Sequence, residues 1–283
     1  MLSVTYKMES SVSRIYIIHT EATKNTSRRL EEDLQPLSKF SGLLPDIASA
    51  YSVGSADDVK NVFGAIKKDC IDNNVKPLLH VDFHGSEQHG LVVKPGHYLS
   101  WEWFASRCRE VNIACQNKFG VVMACCYGLN AIRGVRIGEL VPFQYLIGSQ
   151  ETIYEGADID DSFSLFYKKL FETRSFEVAL VGLPNKFQPF YAEKMLFIVL
   201  AKYLKAGTYG KGFQERKERL ITELVEAGQY PTPQNLKLLR ASITERLKFD
   251  KDGVQEVIDK YSASFLGQPS QIKIDDLMTI LDR

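Results

Sequence analysis

Two short stretches hold most of the side chains able to do acid–base or nucleophilic work. LLHVDFHGSEQHG, residues 78–90, carries three of the five histidines: His80, His84 and His89. VVMACCYG, residues 121–128, carries two adjacent cysteines, Cys125 and Cys126. An imidazole beside a thiol can take its proton and later return it to a leaving amine. Clustered histidines could instead hold a metal, but His80 and His84 share one extended run, which separates them by about 13 Å. Neither Cys-x-x-Cys nor His-Glu-x-x-His occurs, so no metal site is expected. A cysteine on an apolar strand usually serves as a small core hydrophobe. The case for chemistry therefore needs His84 and a thiol together, with His80 read as a packed or hydrogen-bonded strand residue and His89 and His97 as loop or edge residues.

These side chains need a scaffold that brings them to one place. RIYIIHTE (14–21), KPLLHVDFHG, FGVVMACC and VPFQYLIGS read as buried strands, and HGLVV as a short return strand. SADDVKNVFGAIKKDCIDNN reads as a helix capped by Ser55, with Val59, Val62, Phe63, Ile66 and Cys70 on its inner face. LSWEWFASRCREVNIAC is a second helix, with Trp101 or Phe104, Cys108 and Ile113 as inner candidates, and IDDSFSLFYKKLFETR a third. Continuous apolar strands alternating with helices predict an α/β fold with a mostly parallel sheet covered on both faces. In such a sheet, sites form beyond the carboxyl ends of the strands. There His84-Gly85 ends one strand, and Cys125 or Cys126, with Gly128 soon after, ends another. Amides at the glycine turns are candidate oxyanion donors.

From about Phe190 onward the pattern is helical, with helices expected near 213–227, 233–248, 252–266 and 273–282. This predicts a main domain over 1–205 and a helical C-terminal extension over 206–283. GTYGKG (207–212) follows a helix and lacks a Lys-Ser/Thr ending, which argues against a phosphate loop. The 35 basic and 35 acidic residues cancel, arguing against nucleic acid or an anionic membrane as the main partner. Five cysteines without a regular framework fit reduced thiols, and MLSVTYKMESSVSR has no signal-like apolar core. MLFIVLAKYL is too short to span a bilayer, so a cytoplasmic protein is expected.

The two motifs in this order, 41 residues apart on apolar strands, resemble the caspase-like cysteine peptidases. LLHVDFHG is most similar to the CHAT proteins of that superfamily, where a further histidine often stands four residues before the catalytic one, as His80 does before His84. MACCYG matches Ala-Cys-x-x-Gly, and YLIGSQETI followed by FSLFYKKLFETRSFEVAL is similar to a later CHAT strand and helix. The resemblance covers roughly residues 14–200. It implies a caspase-like αβα sandwich and peptide-bond hydrolysis through a thioester, without cofactor. His84 would be the acid–base, Cys125 the nucleophile and the Gly85 amide an oxyanion donor. Many CHAT sequences carry an acidic residue after the nucleophile, where this chain has Cys126. The glycine spacing favours Cys125.

The resemblance further implies a protein or peptide substrate and a regulatory partner or small-molecule activator, in a bacterial antiviral defence or cell-death system. Caspases that cut after aspartate carry glutamine two residues before the nucleophile, where Met123 stands here. The acidic run Glu151, Glu155, Asp158, Asp160 and Asp161 could instead receive a lysine or arginine, with Glu151 kept as the candidate contact. Asp158 to Asp161 are equally well read as helix N-terminal residues favoured by the dipole. The alternative from another class is a non-catalytic binding or sensor module on the same fold.

Overall fold

The computed structural model describes residues 8–39, 46–153, 157–208, 210–228, 232–246 and 251–270. The chain divides into an α/β unit, Val4–Glu193 with Ser264–Gln268, and a helical unit whose body is Lys194–Ala263. Sequence patterning puts the division at 205/206. The observed one falls within a continuous helix, and such a boundary leaves no composition break to read.

The α/β unit contains β1 (Arg14–His19), α1 (Lys24–Leu34), β2 (Ala48–Ser52), α2 (Ala56–Asn73) and β3 (Pro77–Asp82). Three short strands follow, β4 (His84–Ser86), β5 (Gly90–Lys94) and β6 (His97–Leu99), then α3 (Trp101–Ala114) and β7 (Gly120–Met123). β8 (Tyr145–Ser149), α4 (Ala157–Thr173), α5 (Phe176–Leu180) and β9 (Phe187–Tyr191) complete it. The main sheet has the order β2-β1-β3-β7-β8-β9. All its pairings are parallel except β8 with β9. β4, β5 and β6 form a separate antiparallel sheet.

Strand alternation sends successive side chains to opposite faces. Tyr16, Ile18, Leu79, Val81, Val121 and Met123 enter one apolar cluster with residues of α2 and α3. Ile15, Ile17, Leu78, Val122 and Ile147 enter the other, with residues of α1 and α4. Because both faces are covered, the central strands are near-continuous apolar runs, with His80 of β3 a buried exception. This layering is compatible with an αβα sandwich.

Ser55 caps α2, its Oγ accepting the Asp58 N–H at 3.1 Å, and Val59, Val62, Phe63, Ile66 and Cys70 are all buried as expected. On α3, Trp101, Phe104 and Cys108 are buried, but Ile113 is 54 % exposed and Val111 takes the inner place. The 104–108–111 spacing follows the helical stripe, and 113 lies off it.

Three elements escape the apolar pattern. α1 buries only Ser27, Leu30 and Leu34, so a serine stands where a hydrophobe would mark the stripe. β2, ASAYS, is an edge strand of small and polar residues. Its outward backbone is covered by α1 and the turn after it: Glu31 Oε1 accepts the Ala50 N–H at 2.9 Å, and Gln35 Nε2, just past the end of α1, donates to the Ala48 carbonyl at 3.1 Å. β9 carries Pro189, tolerated because β9 is also an edge.

The helical unit comprises most of α6 (Ala192–Thr208), then α7 (Gly210–Glu226), α8 (Pro233–Arg246) and most of α9 (Lys251–Leu266). Arg240 of α8 pairs with Glu218 of α7 at 2.9 Å. The helix expected at 273–282 lies outside the described residues. Among the described residues, no helix is long and apolar enough to cross a membrane.

Candidate active site

β3 and β7 are neighbours in parallel register, with Val81 opposite Met123. The ladder runs one step further, the Ala124 N–H donating to the Val81 carbonyl at 2.8 Å. This single pairing sets the two chemistry-bearing strand ends side by side. Beyond it, the chain leaves β3 through Asp82 and buried Phe83, and His84 opens β4 opposite Val92. Gly85 comes so close to the other tip that a Cβ on it would lie 1.9 Å from the Cys126 carbonyl oxygen. No side chain fits there, which is a packing reason for the His-Gly pair.

The Ala-Cys-x-x-Gly spacing has a similar cause. A Cβ on Gly128 would stand 2.5 Å from the Met123 Cβ and 3.1 Å from the Cys125 Sγ. Between the cysteines and this glycine, Tyr127 adopts a left-handed backbone, φ 57°, uncommon for a non-glycine residue. It is held by its N–H to the Glu151 carbonyl at 3.2 Å and by its hydroxyl to Thr152 Oγ1 at 3.1 Å.

The two thiols occupy different environments. Cys125 is 2 % exposed and belongs to the α2/α3-side apolar cluster. Burial pushes its pKa well above the usual thiol value, and neighbouring Cys126 and Asp82 push it the same way, so the thiol is protonated at neutral pH. Cys126 is half-buried, its Sγ accepting the Ile153 N–H at 3.2 Å and reaching the Ile153 carbonyl at 3.6 Å. That contact ties the loop after β7 to the loop after β8.

A cavity of about 110 Å³ opens at these strand ends, lined among others by Asp82, His84, Ala124, Cys125, Cys126 and Ile153. The sites read from sequence thus split. His84, Cys125 and Cys126 border one cavity, and Gly85 adjoins Cys126 through its backbone. Glu151 is exposed and is not among the lining residues; its backbone carbonyl serves the Tyr127 turn instead. Asp160 does line the cavity, Glu155 lies outside the described residues, and so does the side chain of Asp158.

His80 is a buried strand residue. Its Nδ1 is 2.8 Å from the Tyr167 hydroxyl, and its ring meets Phe163 edge-on at 5.1 Å. Desolvation pushes its pKa down to about 3, leaving it neutral at physiological pH. Among the described residues, no three His, Cys, Asp or Glu side chains gather closely enough to hold a metal.

An acidic residue that the sequence reading did not single out, Asp82, also lines the cavity. Its Oδ2 accepts from Thr26 Oγ1 and Ser27 Oγ, both at 2.7 Å, while its backbone carbonyl accepts from Thr23 Oγ1. Burial raises its pKa above the usual carboxylate value, against the pull of those hydroxyls. A charged residue at the end of an apolar run, two places before His84, is the signal that could have singled it out.

Against known proteins, the chain matches no family model and no curated relative. An imidazole, two thiols and a carboxylate surround a partly apolar cavity at the carboxyl edge of a parallel sheet. That set can take a proton from a thiol, offer sulfur to a carbonyl carbon and return the proton to a leaving group.

Proposed function

We propose that this chain is a caspase-like, CHAT-related cysteine endopeptidase, acting in the cytoplasm and switched on by a partner or small molecule. The observation that carries this reading is the packing of Gly85 against the Cys126 carbonyl, with His84 and both cysteines at one cavity. In the proposed reaction His84 takes the Cys125 thiol proton and sulfur attacks the scissile carbonyl. The Gly85 N–H donates to the developing oxyanion. The C–N bond then breaks as His84 protonates the leaving amine, and a thioester remains. Water attacks the thioester, giving up a proton that returns to sulfur, and the acid product leaves.

The buried, protonated state of Cys125 fits a regulated enzyme whose thiol is held back until the loops after β7 and β8 rearrange. The Cys126–Ile153 contact is the link such a rearrangement would break. A role in bacterial antiviral defence or cell death belongs to this reading through the family resemblance.

The same burial favours a second reading, a binding or sensor module on the same fold, since the thiol lies within the apolar cluster. A peptide carrying a thiol-directed acyloxymethyl ketone separates the two, tested on wild type and on Cys125→Ala, Cys126→Ala and His84→Ala. Labelling should be lost in Cys125→Ala, fall at least a hundredfold in rate in His84→Ala, and survive in Cys126→Ala. Labelling lost only in Cys126→Ala would move the nucleophile to that thiol. Labelling and cleavage indifferent to all three variants, even with the cognate activator present, would establish the binding module.

A further inference from the structure

The cavity has a polar end built more carefully than a thiol and an imidazole require. Asp82 lines it with Oδ2 fixed by two hydroxyls from the first turn of α1, and its main chain pinned by a third hydroxyl from Thr23. Among the described residues, no lysine or arginine forms an ion pair with it. The one arginine lining the cavity, Arg29, is paired with Asp161. Two more carboxylates, Asp33 and Asp160, stand in the lining, and the histidine behind them, His80, is neutral. Leu30, Phe163 and Phe187 add apolar surface to the lining, beside the hydroxyls of Thr23, Thr26 and Ser164. Apolar walls leading to a fixed, desolvated carboxylate match a side chain with a hydrocarbon stem and a cationic head.

We propose that Asp82 is the specificity-determining residue of this site, receiving the lysine or arginine side chain that precedes the scissile bond. This rests on the peptidase reading, but it assigns the charge selection to the end of β3 rather than to Glu151. The position is close to the chemistry, because Asp82 is separated from His84 only by Phe83 and borders the same cavity as Cys125. The burial that raises the Asp82 pKa is the condition under which a cationic partner gains most from pairing with it.

Small probes test the pocket without catalysis. n-Butylguanidine carries the arginine head and stem, and n-butylurea is its neutral isostere. In ligand-observed NMR on the full chain, wild type should bind butylguanidine at least tenfold more tightly than butylurea. Asp82→Asn, which keeps an acceptor for Thr26 and Ser27, should abolish the preference. Ala124→Val, which narrows the cavity and keeps the carboxylate, should weaken butylguanidine binding, a second effect that does not depend on how Asp82→Asn folds. A peptide containing arginine should compete with butylguanidine while its citrulline counterpart does not, which separates a peptide side chain from a free small cation. Equal binding of the two probes, a preference retained in Asp82→Asn, or arginine and citrulline peptides competing alike would overturn the proposal. The peptidase reading is judged separately by Cys125 labelling. Charge selection without labelling removes the enzyme and leaves a cation-binding pocket, whereas labelling without charge selection leaves the enzyme and removes the role of Asp82.

Discussion

The residues that look alike in the sequence diverge once burial is known. His80 and His84 differ by four positions on one run, yet His80 is sealed against Tyr167 and Phe163 while His84 is exposed at the cavity. The buried imidazole has a measurable consequence. An unfolded histidine takes up a proton as pH falls through about 6.5, but folded His80 does so only near 3. Protonation therefore favours the unfolded chain over that whole window, and this histidine removes stability at about 1.4 kcal/mol per pH unit below 6.5. Both tryptophans, Trp101 and Trp103, lie on α3, so their fluorescence reports on the α/β unit. Urea titrations followed this way should show midpoints falling from pH 6.5 to pH 4 in wild type. The fall should be shallower by that slope in His80→Gln, and an identical slope in the variant would exclude His80 as the source.

At the scale of elements, the sheet edges explain what the periodicity missed. α1 does little for the core, with two leucines and a serine buried, but it supplies Glu31, and the residue after it Gln35, to the open backbone of β2. Unpaired edge backbone is a template for pairing with another chain. Glu31→Ala combined with Gln35→Ala should leave thermal stability within about 1–2 kcal/mol of wild type. It should nonetheless raise concentration-dependent self-association, as read by light scattering. Unchanged scattering up to millimolar protein would show that the edge needs no cover. At the opposite edge, Pro189 removes a backbone donor from β9, so that edge carries its own protection.

Across the whole molecule, the α/β unit is discontinuous in sequence. Ser264–Gln268 belongs with it, and the Phe265 carbonyl accepts the Val141 N–H at 2.8 Å, with the Phe265 ring fully buried. Phe265→Ala should cost about 3–5 kcal/mol, detectable by tryptophan fluorescence in urea. A chain ending at Ala263 should be at least that much less stable than one ending at Ser270. If truncation at 263 leaves the transition unmoved, this segment is not part of the unit's core.

By itself, the sequence determined the α/β class, the mostly parallel sheet and the two strands, β3 and β7, beyond whose ends His84 and the cysteines lie. That His84 and Gly85 open a strand of a second, antiparallel sheet and do not end β3 was not legible in one continuous apolar run. Long apolar runs and a capped amphipathic α2 leave few other ways to satisfy the backbone and bury those side chains. Tertiary structure alone decided three things. It covered β2 with α1, because an edge strand needs no apolar code of its own. It divided the adjacent thiols into a buried Cys125 and a half-buried Cys126, because the chain turns after β7, packing Cys125 in the apolar cluster and setting Cys126 against the Ile153 backbone. It also put Asp82 in the cavity in place of Glu151, because a carboxylate is fixed by hydroxyls from residues 26 and 27, more than fifty positions away in the chain and adjacent only after folding.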